Sequence, residues 1–265
     1  AGKEFFTEAE AEVYAKKLVE ANNADRRDGG GDADVARAYN DLWWDKGKKM
    51  AVTLRTSLII SPSDGKIPPL TEVAQKRQAE RAAYRLAHPA DGPEDRSLSE
   101  RCLVYTAGGP PMLPGSYNNN YQIVQSPGYV AIRAEMIHDV RIIPVAANAK
   151  DTRQHMPRTV RQWMGDSVGY WEGDTLVIDT TNFTSKTSFR GSGETLHLIE
   201  RFTRKSLDMI LYEFTINDPE SFIKPWTAQV PFAKTEGPLL EYACHEGNYA
   251  MEGILAGARK EEKGK

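Results

Sequence analysis

The sequence has little charge imbalance and no long apolar run. Thirty-four Lys and Arg residues stand against 37 Asp and Glu residues, a net charge of −3 over 265 residues. A protein that binds nucleic acid electrostatically carries a basic excess, so this balance argues against that class. The longest apolar runs are a few residues, such as 58–60, whereas a membrane-spanning helix needs about 20 apolar residues. We expect neither a nucleic acid partner nor membrane insertion.

The motifs of several common enzyme classes are also missing. The sequence has no G-x-S-x-G, no phosphate-binding loop, no G-x-G-x-x-G and no H-E-x-x-H. Their absence disfavours serine hydrolases of the usual fold, nucleotide and dinucleotide enzymes, and common metalloproteases. No Cys/His spacing is typical of a zinc site. We therefore expect neither a cofactor nor a metal.

The first 118 residues have helical patterns and many prolines. Residues 5–22 predict a helix, with Thr7 and Glu10 in capping-box spacing. Residues 34–46 predict a second helix, in which Trp43-Trp44 is expected to anchor packing, and 71–87 have the strongest helix propensity. The decapeptide between 51 and 60 can form a strand.

The sequence pattern changes at Asn119. About nine short β-rich runs follow one another with turns between them, which is typical of an antiparallel meander. They are residues 121–125, 129–136, 138–145, 168–171, 175–183, 195–204, 209–217, 223–233 and 239–243. Residues 247–259 predict a closing C-terminal helix, and the charged end after it is expected to fray.

Alternation within these runs indicates one buried face. In 209–217, Ile210, Tyr212, Phe214 and Ile216 fall on one side, with polar residues on the other. We predict a mainly β (α+β) fold whose meander closes as a calycin- or lipocalin-like barrel, with a two-sheet sandwich as the alternative. Residues 1–118 would form a helical, proline-rich arm on the barrel, and 119–265 the β domain.

Three histidines are candidate catalytic residues. Strand alternation over 135–141 places His138 with apolar neighbours, on the opposite face from Glu135, Asp139 and Arg141. In a lumen, an imidazole suits general acid–base catalysis. His197 or His245 would be its partner. The alternative is a core histidine bonded to a backbone carbonyl, with the other two unrelated to it.

Five further residues are candidate substrate ligands. Tyr121 ends the polar string that begins at Asn118, which suits a polar ligand, and Glu135 could orient an imidazole. Arg161 and Trp163 precede a predicted hairpin, and Arg190 lies in a Gly/Ser-rich loop. Arg161 or Arg190 could stabilise developing negative charge. Each of these also has an ordinary structural interpretation.

The two cysteines, Cys102 and Cys244, allow one disulfide if the compartment is oxidising. Such a bridge would close a loop of about 140 residues and, by the chain-entropy argument, stabilise the fold by roughly 5 kcal/mol. Two buried free thiols are the alternative. The chain begins at Ala1 without Met, as removal of an export signal would leave it, so we expect a periplasmic or extracellular protein.

Several long strings together resemble a family of exported, uncharacterised bacterial proteins. They are RTSLIISPSDGKIPPLT, DRSLSERC, NNNYQIVQSPGYV, EMIHDVRIIPV, RQWMGDSVGYWEGDTLVIDTTNF, ERFT and EYACHEGNY. The similarity runs from about residue 54 to residue 259; it implies export and one conserved unit, but no reaction. The chain departs from the family at 146–153, where AANAKDTR replaces a short Asp-Gly-Arg turn.

Three functions stay open on these patterns. The first is an exported, cofactor-independent lyase, hydrolase or isomerase that uses histidine acid–base chemistry on a small polar or aromatic compound in a β-lined cavity. The second is a non-catalytic binding protein of lipocalin type that carries a small ligand. The third is a structural subunit of an extracellular homo-oligomeric assembly.

Overall fold

The fold is given by a computed structural model. It describes residues 3–21, 31, 53–105, 107–115, 117–187 and 189–264. The predicted helix at 34–46, with its Trp43-Trp44 pair, lies outside the described residues.

Helix α1 spans Glu8–Ala21 and begins with the predicted capping box. The Thr7 backbone N–H donates to Glu10 Oε2 at 2.8 Å, and the Glu10 N–H donates to Thr7 Oγ1 at 3.3 Å. These reciprocal bonds satisfy two of the N–H groups that a helix start leaves unpaired.

Helix α2 spans Glu72–Ala87, within one residue of its predicted bounds, and α3 spans Tyr249–Lys263. Thr71 caps α2 by accepting from the Ala74 N–H at 3.2 Å. Arg77 attaches α2 to the β-rich half, because its guanidinium donates to Gly191 O at 2.8 Å and Ser221 Oγ at 2.6 Å. Helix α3 continues into the charged tail as far as Lys263.

Nine strands form one sheet in the described part of the chain. They are β1 Ile59–Ser61, β2 Tyr121–Ser126, β3 Tyr129–Ala134, β4 Val140–Ala146, β5 Asp166–Glu172, β6 Thr175–Thr181, β7 His197–Arg204, β8 Met209–Asn217 and β9 Trp226–Ala233. Their order is β1-β9-β8-β7-β6-β5-β4-β3-β2. The mainly β prediction is confirmed, whereas the predicted strand at 239–243 is wrong and the one at 51–60 shrinks to β1.

One neighbouring pair, β4 and β5, is parallel, and every other pair is antiparallel. Two parallel neighbours cannot be joined by a tight turn, because the chain must first return to the starting end of the sheet. Residues 147–165 make this return, and we call them the crossover segment. The simple meander prediction is therefore corrected at this point.

The sheet is open, so the predicted barrel closure is not shown. Strands β1 and β2 are its two ends and do not pair with each other. The sheet nevertheless curls, since the Tyr121 ring on β2 stacks on the Phe232 ring of β9 with centroids 5.4 Å apart. Its inner face is the core, where Tyr212, Phe214 and Ile216 are buried as the alternation predicted.

A disulfide joins Cys102 to Cys244, with a Cα–Cα distance of 5.7 Å. The bond confirms the predicted pairing over two free thiols. It fixes the segment before α3 against the proline-rich connection that follows α2. Among the described helices, none has the length and apolar character needed to cross a membrane.

Candidate functional site

A cleft of about 1420 Å³ opens on the inner face of the curled sheet, where β2 faces β9 without pairing to it. Aromatic and aliphatic side chains form its walls, among them Tyr121, Ile123, Trp171, Phe202, Ile210 and Phe232. Charged residues line the mouth: Asp174, Arg204, Lys205, Asp208 and Lys234. Asn119, Asn120 and Gln125 also belong to the lining. The cleft thus combines apolar walls with polar groups, the usual make-up of a small-molecule site.

Of the predicted site residues, Tyr121 alone belongs to the lining of this cleft, and all five histidines lie in the described part of the chain but outside that lining. The Tyr121 hydroxyl donates to Ala107 O. Burial raises the pKa of this phenol above its usual range. Tyr121 is therefore a neutral wall residue whose hydroxyl is already engaged.

His138 lies in a short 3₁₀ turn, Met136–His138, that separates β3 from β4. Ile137 and His138 have φ angles of 61° and 49°, a left-handed conformation that is rare for residues other than glycine and especially for β-branched ones. Strand alternation consequently does not apply across 135–141, and the predicted faces of that segment are wrong. His138 Nδ1 lies 3.3 Å from Tyr242 O.

Asp139 interacts electrostatically with two of the predicted histidines, His138 and His245. Burial raises the pKa of its carboxyl, while the charges of His138 and His245 act to lower it. Its Oδ2 atom is buried and has no hydrogen-bond partner among the described residues. His138, Asp139 and His245 thus lie near one another, beside the disulfide.

Glu135 is buried and serves as a connector. Its carboxylate accepts from Asn120 Nδ2 at 2.8 Å and from the Leu240 N–H at 3.1 Å. These bonds hold the start of β2 and the segment before Cys244 together.

His197 lies on the outer face of the sheet, in a chain of charged side chains that we call the outer network: Arg153, His155, Asp166, Asp179 and His197. The Oδ1 atom of Asp179 is 2.9 Å from His197 Nε2 and 3.1 Å from His155 Nε2. Asp166 Oδ2 is 3.1 Å from His155 Nδ1, and its Oδ1 accepts from Arg153 Nη2 at 2.6 Å. Because carboxylates only accept, both ring nitrogens of His155 must carry a proton for both contacts to be hydrogen bonds.

The partners in the outer network change one another's protonation. Burial alone would raise the pKa of Asp166 and of Asp179. Hydrogen bonds from Arg153, the Met156 N–H and His155 lower the pKa of Asp166. Hydrogen bonds with His197 and His155 lower the pKa of Asp179. The hydrogen bond to Asp179 raises the pKa of His197 against the opposing effect of burial. The network therefore favours charged carboxylates beside a charged imidazole.

Sequence reasoning did not single out His155. The crossover segment supplies it, together with Arg153, and nothing local in that segment distinguishes it. The hairpin of β5 and β6 could have indicated the outer network from the sequence. Its register pairs Val168 with Asp179, which places Asp166 and Asp179 on one face.

Arg161, Trp163 and Arg190 lie around the loop between β6 and β7. Arg161 Nη1 donates to Phe183 O at 3.1 Å and Glu194 O at 2.8 Å, and the Trp163 carbonyl accepts from Thr187 Oγ1 at 2.9 Å. Arg190 is exposed, with its guanidinium carbon 6.0 Å from the Phe189 ring centroid. These contacts hold the loop, and none of the three predicted residues lines the cleft.

A buried ion pair joins Arg141 of β4 to Glu200 of β7 inside the curled sheet. Arg141 donates to both carboxylate oxygens, at 2.6 and 3.1 Å, and the Tyr212 hydroxyl donates to Glu200 Oε1 at 2.8 Å. The Met112 N–H in turn donates to the Tyr212 hydroxyl at 3.0 Å. Phe202, two residues after Glu200, lines the cleft, so the pair lies next to its apolar wall.

Comparison with protein-family models, curated proteins and solved structures finds no match for this chain. Within the described ranges, no three His, Cys, Asp or Glu side chains are arranged to hold a metal ion. The geometry of the cleft and of the outer network is therefore the basis for assigning a function.

Proposed function

We propose that the protein binds a small, largely apolar molecule in the cleft and releases it unchanged. The observation that carries this proposal is the lining of the cleft, whose walls are aromatic and aliphatic while the histidines lie elsewhere. Burying about 250 Å² of apolar ligand surface there would contribute roughly 6 kcal/mol before the entropic cost of binding. That range suits reversible carriage of a ligand.

Export is part of the same proposal. A disulfide persists in an oxidising compartment, and the one between Cys102 and Cys244 is compatible with the periplasm or the extracellular space. A carrier of apolar molecules has an evident use there, because such ligands dissolve poorly in water.

Fluorescence of the uncharged dye N-phenyl-1-naphthylamine tests the cleft directly. We expect its emission to rise on addition of the protein, because the dye moves from water to an apolar wall. Ile123→Trp fills the cleft and should abolish most of this rise. Val124→Trp is the matched control, since the neighbouring side chain on β2 points outward and is 50% exposed.

The two variants separate the outcomes. Loss of dye binding in Ile123→Trp with retention in Val124→Trp supports the proposal, provided both have wild-type circular dichroism. Equal dye binding by the two variants would place the dye elsewhere and contradict it.

A second candidate, an acid–base enzyme, is favoured by the outer network. His197 is backed by Asp179, and its side chain is 39% exposed, an arrangement that lets an imidazole exchange a proton with a substrate. Any turnover found by screening should fall at least about 100-fold in His197→Gln and should be retained in His88→Gln. Equal turnover in both variants would remove His197 from the chemistry.

A further inference from the structure

We propose that the ligand of the cleft is an amphiphile with a carboxylate head group, and that Arg204 binds this head group at the mouth. This inference rests on the proposed function and adds to it the chemical class of the ligand. Three features of the mouth support it: the position of Arg204, its partners and the charges around it.

The position of Arg204 follows from the register of β7 and β8. Successive residues on a strand alternate between faces, so Arg204 stands on the same inner face as Phe202, one step nearer the mouth. Its direct cross-strand neighbour is Ile210. Phe202, Arg204 and Ile210 all line the cleft. The guanidinium of Arg204 therefore lies directly beside the apolar wall.

The partners of Arg204 leave its terminal nitrogens available. Its Nε donates to Ser206 O at 3.1 Å, and no carboxylate in the described part of the chain lies within salt-bridge distance of it. Arg201, on the outer face of the same strand, instead pairs with Glu172. The two terminal nitrogens of such a guanidinium bind a carboxylate end-on through two parallel hydrogen bonds.

The charges around the mouth also favour an anion. Lys205 and Lys234 join Arg204 there, against the carboxylates of Asp174 and Asp208. Lys234 is already paired, because its ammonium lies 3.9 Å from Asp208 Oδ1 and 3.9 Å from Glu236 Oε1. The remaining charges of the lining are Arg204 and Lys205 against Asp174, which favours an acidic head group at Arg204 over a cationic one.

Competition against N-phenyl-1-naphthylamine tests the head group, because the dye itself is uncharged. Dodecanoate, dodecanol and dodecylamine share one hydrocarbon chain and differ in charge, and each is used below its micelle concentration. We expect dodecanoate to displace the dye at the lowest concentration and dodecylamine at the highest. In Arg204→Gln, dodecanoate should bind about tenfold more weakly, the loss typical of a hydrogen bond to a charged group, while dodecanol is unaffected.

Two further variants complete the test. Arg201→Gln removes a positive charge from the other face of β7 and should leave all three affinities unchanged. Arg204→Lys keeps the positive charge but loses the paired donors. Its affinity for dodecanoate should therefore lie between the affinities of the wild type and Arg204→Gln.

The possible failures are distinguishable. If the dye binds in the cleft but the three competitors displace it equally, or if Arg204→Gln and Arg201→Gln behave alike, the head-group assignment is overturned and the apolar site stands. If Ile123→Trp leaves dye binding intact, the apolar site itself is overturned, and the head-group assignment with it.

Discussion

The two faces of the same strands have different chemistry. On the inner face, β7 presents Leu198, Glu200 and Phe202 to the core and the cleft. On its outer face, the same strand presents His197 to the outer network. The inner ion pair is fully enclosed. In the outer network Asp166 is buried as well, whereas Arg153, Asp179 and His197 are partly open to solvent. Strand alternation thus places apolar contacts on the inner face and titratable groups on the outer face. Ion pairs on the two faces should therefore contribute differently to the free energy of unfolding.

The largest expected effect comes from breaking the inner ion pair. Glu200→Gln leaves the Arg141 guanidinium, 4% exposed, without its counter-charge. We expect this substitution to lower the free energy of unfolding by about 3–5 kcal/mol, as measured by urea denaturation.

Glu172→Gln is the control, because it breaks the exposed pair with Arg201 on the other face. It should leave the denaturation midpoint nearly unchanged, since exposed ion pairs contribute little. Replacing both Arg141 and Glu200 by Met should restore much of the lost stability, because no charge is then left unpaired. A larger loss in Glu172→Gln than in Glu200→Gln would reverse the comparison.

The second expected effect is pH-dependent and belongs to the outer network. The pKa of His197 is raised above its ordinary value of 6.5, so its stabilising contribution is complete below about pH 6.5 and is lost as pH rises through the raised value. The pKa values of Asp166 and Asp179 are lowered from 3.8, so their contribution is present above about pH 4 and is lost as pH falls further. The outer network should therefore contribute most between about pH 4 and pH 6.5.

His197→Gln makes this window measurable. The difference in unfolding free energy between wild type and variant should be larger at pH 5.5 than at pH 8.5, by up to about 1 kcal/mol because the side chain is partly exposed. Glu172→Gln should show no such pattern over this range, because the hydrogen bond to Arg201 lowers the pKa of Glu172 from 4.5. If the difference in unfolding free energy between wild type and His197→Gln does not change with pH, the pKa of His197 is not raised in the folded protein.

Local patterns were enough to predict the elements in which neighbouring residues decide the structure. The predicted capping box of Thr7 and Glu10 begins α1, and the predicted bounds of α2 hold within one residue. The alternation of Tyr212 and Phe214 gave the buried face of β8. In each case the determining residues lie within one turn or one strand.

The parts that could not be predicted depend on distant contacts or on unusual backbone. The left-handed conformation at Ile137 and His138 interrupts the alternation that was assumed across 135–141. The parallel pairing of β4 with β5 follows from where the crossover segment travels, and alternation carries no information on this. His155 joins the outer network only because that segment returns across the sheet, so its partners could not be inferred from its neighbours.

The last expected effect is confined to one segment and tests the attachment of the crossover segment. His155 bridges Asp166 and Asp179, while the Met156 N–H donates to Asp166 Oδ2 at 2.8 Å. His155→Gln cannot bridge both carboxylates, so amide hydrogen exchange over 153–156 should become roughly fivefold faster, the factor that corresponds to about 1 kcal/mol. His88→Gln, at the exposed end of α2, should leave that exchange unchanged. If exchange instead accelerates across β7 and β8 to the same degree, the imidazole supports the whole sheet, and the energetic separation of the two faces does not hold.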